Sequence, residues 1–488
     1  MVDQQQVKNH SLKSVKWVTL GLVLPKLISP IITLVLARIL APSDFGILSI
    51  CTVFIGFINL IQGLGFNDFI IKEKNINDVD LSTAFWFNLF LSIIVFALMW
   101  VVAPYIAEIY KEPLIGKALP ILGLVLLFNG AGTIQWALLQ KEMEFKALFE
   151  IQLLPMIVSL GITLPMAYMG YGFWSLIAGE VSKSVLTNAA YWIKGKWVPR
   201  FILSAKVFRK MMAFGIWIVI EKVQEYLYTN LDRIFLGYYV DLSVLGIYTV
   251  ARSLTSLIYN ILNGPIGGII YPMMSKLQLE PYKIKKAFLD VTKRVMFINI
   301  PVTIASALFS FIVIPLVFSN KWTGLPLVFC IGVVGEGVSR LIWAHREMFK
   351  ILNRPDIYPK SIMINLLFAL ICYPLGAMQG LIVFCIVRAI NDWLYAAVQL
   401  KLAVKILGFK IMDFIRLSFP SIICSFATAA VIIILIIILK FCAIKITVIP
   451  TLFIVCFSII SYILLFRRIN RNDYEILLSE LKVIIGLS

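Results

Sequence analysis

Charge is scarce in this chain. Only 14% of its 488 residues are Asp, Glu, Lys or Arg, against about a quarter in an ordinary soluble domain. With 60% hydrophobic residues and a mean hydropathy of +0.93, it cannot cover a water-facing surface with polar groups, so its solvent must be lipid. Histidine is nearly absent (His10 and His345), and the seven cysteines form no CxxC pair. A zinc or redox centre is therefore not expected. The cysteines lie in or beside apolar runs and read as small core fillers. Long polar stretches are missing too. The longest, 194–210 and 276–286, leave no room for a soluble domain or for the outer loop that a membrane polymerase or ligase would need. GxSxG, HExxH and P-loop patterns do not occur, so no catalytic residue and no metal site is expected. The N-terminus lacks a short apolar core followed by a small-residue cleavage site, so the first span is expected to be retained.

What the chain does have is a series of apolar stretches of about 20 residues, each long enough to span the hydrocarbon core. They carry Gly and Pro and lack alternating polarity, which favours helices over barrel strands. The expected fold is an all-α polytopic membrane protein with about fourteen transmembrane helices. These spans run roughly over 15–38, 44–70, 80–110, 114–140, 145–169, 171–193, 211–236, 242–275, 287–318, 324–349, 357–377, 379–400, 413–439 and 442–466.

The net charge of +18 would point to nucleic acid in a soluble protein; here its placement gives topology. Thirty lysines and arginines fall in connections of one parity and in the two termini. Five (Lys111, Lys117, Lys321, Lys440 and Lys445) fall in the other parity. By the positive-inside rule both termini are cytoplasmic and the number of spans is even. The basic segment 194–210 spaces Val198, Phe201, Ile202, Ala205 and Phe208 near helical period, which predicts an interfacial amphipathic helix on anionic lipid.

A repeat divides the chain. "LARILAPSDFGILSI" (36–50) and "LGYYVDLSVLGIYTV" (236–250) match at Leu36/Leu236, Ser43/Ser243, Gly46/Gly246 and Ile47/Ile247, a fixed offset of two hundred residues. Each is the corner between the first two spans of a six-span unit. Six is even, so the two units share orientation and form a parallel repeat. The expected organisation is a six-helix lobe over 1–193, the linker 194–210, a second six-helix lobe over 211–405, an added helix pair over 406–467 and a cytoplasmic tail over 468–488.

A few charges fall inside the spans, where lipid exposure costs at least ~2.5 kcal/mol each. Lys26 lies near the middle of span 1, between Pro25 and Pro30, which predicts a hinge there. In span 7, Glu221, Glu225, Tyr228 and Asp232 share one helical face beside Lys222. Lys26, Lys222, Arg252 and Arg340 are the candidates for a cationic cavity, since Lys and Arg pair with phosphate through charge-assisted bonds. Glu221, Glu225 and Asp232 are candidates for gating or for a coupling proton or sodium ion. A static bridge from Lys222 or Lys26 to Glu221 or Glu225 is the structural alternative. Glu336–Arg340, Arg388–Asp392 and Glu180–Lys183 stand at helical spacing and can satisfy one another.

The run "LARILAPSDFGILSICTVFIGFINLIQGLGFNDFIIK" resembles the first corner of bacterial polysaccharide exporters, the lipid-linked oligosaccharide flippases of the multidrug/oligosaccharidyl-lipid/polysaccharide exporter superfamily. "WALLQKEMEFKAL" (136–148), "YGFWSLIAGEV" (171–181), "NLDRIFLGYYVDLSVLGIYTVA" (230–251) and "ILNRPDIYPK" (351–360) are similar to that family in the same order. The nearest branch is the lipopolysaccharide or teichuronic-acid biosynthesis type. The resemblance implies a two-lobed, alternating-access transporter and no enzyme. It implies an undecaprenyl-pyrophosphate-linked oligosaccharide as substrate, turned from the cytoplasmic to the outer leaflet of the inner membrane for surface polysaccharide export. It also implies partners among the pathway's polymerase and chain-length proteins, besides membrane lipid, and no nucleic acid. A multidrug or organic-cation antiporter of the same fold and a peptidoglycan lipid-precursor flippase are the alternatives. The intramembrane cations weigh mildly against the antiporter.

Overall fold

The computed structural model describes residues 21–475 except 22–23, 26–27, 64, 74, 276–280, 353, 355, 442–446 and 472. The described residues are helical almost throughout and hold no strand. In chain order the helices are α1 (Ile28–Ile39), α2 (Pro42–Gly63), α3 (Phe66–Lys72), α4 (Asp78–Ile109), α5 (Pro113–Lys141), α6 (Phe145–Tyr168), α7 (Phe173–Lys194), α8 (Ala205–Tyr239) and α9 (Leu242–Ser275). They continue with α10 (Pro281–Val317), α11 (Leu325–Arg340), α12 (His345–Ile351), α13 (Ile357–Met378), α14 (Leu381–Leu407), α15 (Ile411–Phe441) and α16 (Val448–Ile469).

Eleven segments among the described residues are long and apolar enough to cross a membrane, fewer than the fourteen expected. The expected spans missing from that set are α1, α7 and α8. Only twelve residues of α1 form its described apolar helix, Ile28–Ile39. Helix α7 carries Glu180 and Lys183, and α8 carries Glu221, Lys222, Glu225, Asp232 and Arg233. Their polar faces lower the hydropathy that marks a lipid-facing span. Many large apolar side chains on the other helices, such as Trp100, Val101, Ile371 and Phe426, are exposed on the protein surface, as lipid contact requires.

Contacts divide the chain into two units: 1–250 with 369–380, and 251–368 with 381–488. In the first, α4 packs along α5, α6 along α7, and α2 and α3 against α5 and α8. In the second, α10, α11 and α14 pack together, and α15 lies between α10 and α16.

The two repeated corners meet each other inside the first unit. Pro42 opens α2 at a position that needs no amide hydrogen, and the Asp44 carboxylate accepts the Ala41 amide at 2.9 Å, fixing the start of the helix. A Cβ on Gly46 would collide with the carbonyl of Leu242, and one on Gly246 with the carbonyl of Pro42. Thr249 donates to Ser49 at 3.0 Å. Residues two hundred apart thus face one another across a local two-fold. Glycine is required because the backbones touch. Leu36, Ile47, Leu236 and Ile247, the other apolar matches, are all buried.

A second close approach lies farther along α2. Gly65, at φ 69°, turns the chain from α2 into α3 and presses on Gly215 of α8. A single span over 44–70 is therefore interrupted at this glycine.

The linker differs from its expected form. Residues 195–204 form no helix. Phe201 stacks on Trp86 of α4 at 4.5 Å, the Trp86 indole donates to the Arg200 carbonyl, and the Arg200 and Ser204 amides donate to Ser82 and Thr83. Side chains of α4 satisfy the backbone groups that a helix would have used, and Pro199 cannot donate at all.

Asp232 is fully buried in α8, where the Tyr248 hydroxyl donates to it at 2.6 Å. Tyr248→Phe should destabilise the purified protein by about 1.5–3 kcal/mol, the usual worth of a hydrogen bond to a charged group. An unchanged thermal midpoint would show that this bond carries no weight.

Candidate functional site

The second unit gathers charges at the depth of its spans. Helix α11 reads "GVVGEGVSR" (332–340), with glycines on either side of Glu336. A Cβ on Gly335 would press on Ala389 of α14, and one on Gly337 on Tyr259 of α9 and Thr303 of α10. These two glycines bring α9, α10 and α14 against the one carboxylate of α11. Glu336 accepts from both Nε, at 3.2 Å, and Nη2 of Arg340. Arg388 donates to Asp392 at 3.1 Å along α14. Glu336 also feels the charges of Arg252 and Arg388, and Asp392 those of Arg252 and Arg340.

Tyr259 anchors the group. It is fully buried, donates to the Val333 carbonyl at 2.8 Å, shares a hydrogen bond with Thr303, and lies under the Arg340 guanidinium at 5.8 Å. Arg340 and Arg388 each pair with one carboxylate, and Arg252 is within electrostatic reach of both, so three guanidiniums gather about Glu336 and Asp392. Such a group is costly against lipid, and its guanidiniums have the chemistry to take an anion. The side chains of Glu336 and Arg340 keep 15% and 30% of their exposure, so the pair is within reach of a ligand.

The other sequence candidates lie elsewhere. Lys222 does not bridge to Glu221 or Glu225; it pairs with Asp68 of α3 at 2.8 Å. Two residues separate α3 from the end of α2 in sequence, and the turn at Gly65 is what swings Asp68 toward α8. Glu221 is exposed and Glu225 half-buried, while Asp232 belongs to the buried contact with Tyr248. Glu180 and Lys183 pair at 3.5 Å on α7, both half-exposed. Lys26 lies outside the described residues. Pro25 and Pro30 are helical, but the expected hinge between them includes the undescribed 26–27. In the "ILNRPDIYPK" stretch, Arg354 and Lys360 hydrogen-bond Asp356, outside the spans, and hold its carboxyl down at about 2.

The profile of the "Polysaccharide biosynthesis protein" family matches residues 35–326, which covers both corners and the start of α11. The chain belongs to this family. Among curated members it is 25% identical over 449 residues to the lipopolysaccharide biosynthesis protein WzxC of Escherichia coli (strain K12), covering 87% of this chain and 89% of that one. It is also 25% identical over 284 residues to the teichuronic acid biosynthesis protein TuaB of Bacillus subtilis (strain 168), of which it spans 58%. In solved structures, the lipid II flippase MurJ in an inward closed conformation aligns with a TM-score of 0.72 at 14% identity, over 92% of this chain and 99% of that one. An inward-facing MATE family multidrug resistance transporter aligns with a TM-score of 0.63, also at 14% identity, over 81% and 98%. This family member is a multi-pass membrane protein with a transporter fold.

Proposed function

We propose that this chain turns an undecaprenyl-pyrophosphate-linked oligosaccharide from the cytoplasmic to the outer leaflet of the bacterial inner membrane, by alternating access, for export of a surface polysaccharide. The observation that carries the reading is the gathering of three guanidiniums, Arg252, Arg340 and Arg388, about Glu336 and Asp392. A pyrophosphate takes bidentate bonds from arginine, whereas an organic cation would meet repulsion there. The names of WzxC and TuaB, which concern lipopolysaccharide and teichuronic acid biosynthesis, support the same pathway class. Both termini are cytoplasmic in this reading, on the distribution of lysine and arginine. Glu221 and Glu225 are the carboxylates for a coupling proton or sodium ion. The polymerase and chain-length proteins of the pathway would take the product.

A strain lacking the protein should accumulate the lipid-linked repeat unit on the cytoplasmic face and lose its surface glycan. Intact surface glycan, with new sensitivity to cationic drugs instead, would overturn the reading in favour of an antiporter.

A further inference from the structure

The first unit holds a chamber of about 350 Å³ framed by α2, α3, α5, α7 and α8, a volume within the range of small-molecule sites. Its lining is unlike the rest of the chain. Five side-chain amides converge there (Asn59, Gln62, Asn67, Asn129 and Asn188), with Trp136 and Tyr191 beside them. Among the described residues that line it, the only charges are Asp68 and Lys222, which pair with each other.

Several of these amides have capacity to spare. Gln62 is only 3% exposed; its Nε2 donates to Ser92 and to the Leu126 carbonyl, and its Oε1 has no partner in the protein. The buried Oδ1 atoms of Asn67 and Asn188 likewise have none. A buried acceptor without a partner costs about 1–3 kcal/mol. Three around one chamber leave acceptor capacity that a ligand's donors can take up. Each amide has two donors and one acceptor, so a ring of them suits a ligand that offers both kinds at close spacing without charge. Polyhydroxylated sugar rings do so. Their C–H faces also fit the flat apolar faces of Trp136 and Tyr191.

We infer that this chamber binds sugar residues of the transported glycan through its amides, a site distinct from the arginine cluster. The inference rests on the export reading for the identity of the glycan, but its test is separate.

The test uses the full chain in lipid nanodiscs. The probe is the oligosaccharide released by mild acid from the host's polyprenyl-linked pool and stripped of phosphate, with binding measured by calorimetry; inorganic pyrophosphate is titrated in parallel. Asn188→Leu removes an Oδ1 that has no partner in the protein, so the variant should keep its thermal midpoint. Wild-type protein should bind the phosphate-free oligosaccharide, and N188L should bind it about tenfold more weakly with pyrophosphate binding unchanged. Gln62→Leu should show the same pattern. No binding by the wild type, or equal binding by N188L and Q62L, overturns the chamber assignment. Should the deletion strain keep its surface glycan while N188L still loses sugar binding, the export reading falls and the chamber stands as a sugar site. If the strain loses its glycan and N188L restores it with unaltered sugar binding, the chamber assignment falls alone.

Discussion

Replacing Gly46 with valine should disable the protein, and Gly246→Val should do so equally. In each case the new Cβ would occupy the space of a backbone carbonyl, that of Leu242 or of Pro42. A carbonyl inside a helix turn cannot swing aside as a side-chain end can, so the helices must part. Overpacking a tight contact costs typically about 1–3 kcal/mol. Parting also strains the Thr249–Ser49 bond and opens the burial of Ile47 and Ile247. Export by a complemented deletion strain should fall at least about tenfold, with a lower thermal midpoint in the purified protein. Gly161→Ala in α6 is the control: nothing lies within 4 Å of the added methyl group, and Ala is favoured over Gly in a helix by about 0.5–1 kcal/mol. Wild-type export by G46V and G246V would show that the meeting of the corners is incidental.

The second large effect separates stability from transport at the arginine cluster. Removing one partner of a buried ion pair costs about 3–5 kcal/mol, because the other charge is left behind. The two halves of the Glu336–Arg340 pair should not be equivalent. Glu336→Ala leaves Arg252, Arg340 and Arg388 with Asp392 alone among the five, whereas Arg340→Ala leaves two guanidiniums and two carboxylates. E336A should therefore lower the thermal midpoint more than R340A does. Transport should not follow that order. R340A removes one of the guanidiniums that receive the anion, and should lose export despite its better stability. If export in the two variants simply tracks stability, the cluster is a structural brace and takes no part in binding.

Much of this was legible in the sequence, for identifiable reasons. The corners announced themselves because Leu36, Ser43, Gly46 and Ile47 recur at a fixed offset as Leu236, Ser243, Gly246 and Ile247, and backbone contact leaves no residue but glycine at 46 and 246. The pairs Glu336–Arg340, Arg388–Asp392 and Glu180–Lys183 followed from helical spacing alone and are present. Partners that depend on tertiary packing were not legible. Lys222 reaches Asp68 only because Gly65 breaks the end of span 2, and Tyr248 claims Asp232 only where α8 and α9 meet. The linker defeated its own periodicity, since Ser82, Thr83 and Trp86 of α4 offered its backbone better partners than a helix would. The amide chamber is lined mostly by uncharged side chains, so the spacing of charges along the chain does not reveal it. Its one sequence signal is the recurrence of Asn and Gln in apolar helices, at Asn59 and Gln62, Asn129, and Asn188.

Transport itself can be measured in vesicles holding the purified chain and the host's polyprenyl-pyrophosphate-linked oligosaccharide, with a membrane-impermeant glycosidase outside. Wild-type vesicles should expose the whole pool of glycan to the enzyme with time, while empty vesicles and vesicles with R340A should stop at the fraction facing outward from the start. Equal, incomplete cleavage in wild-type and empty vesicles, under conditions where the protein is folded, would contradict the proposed function.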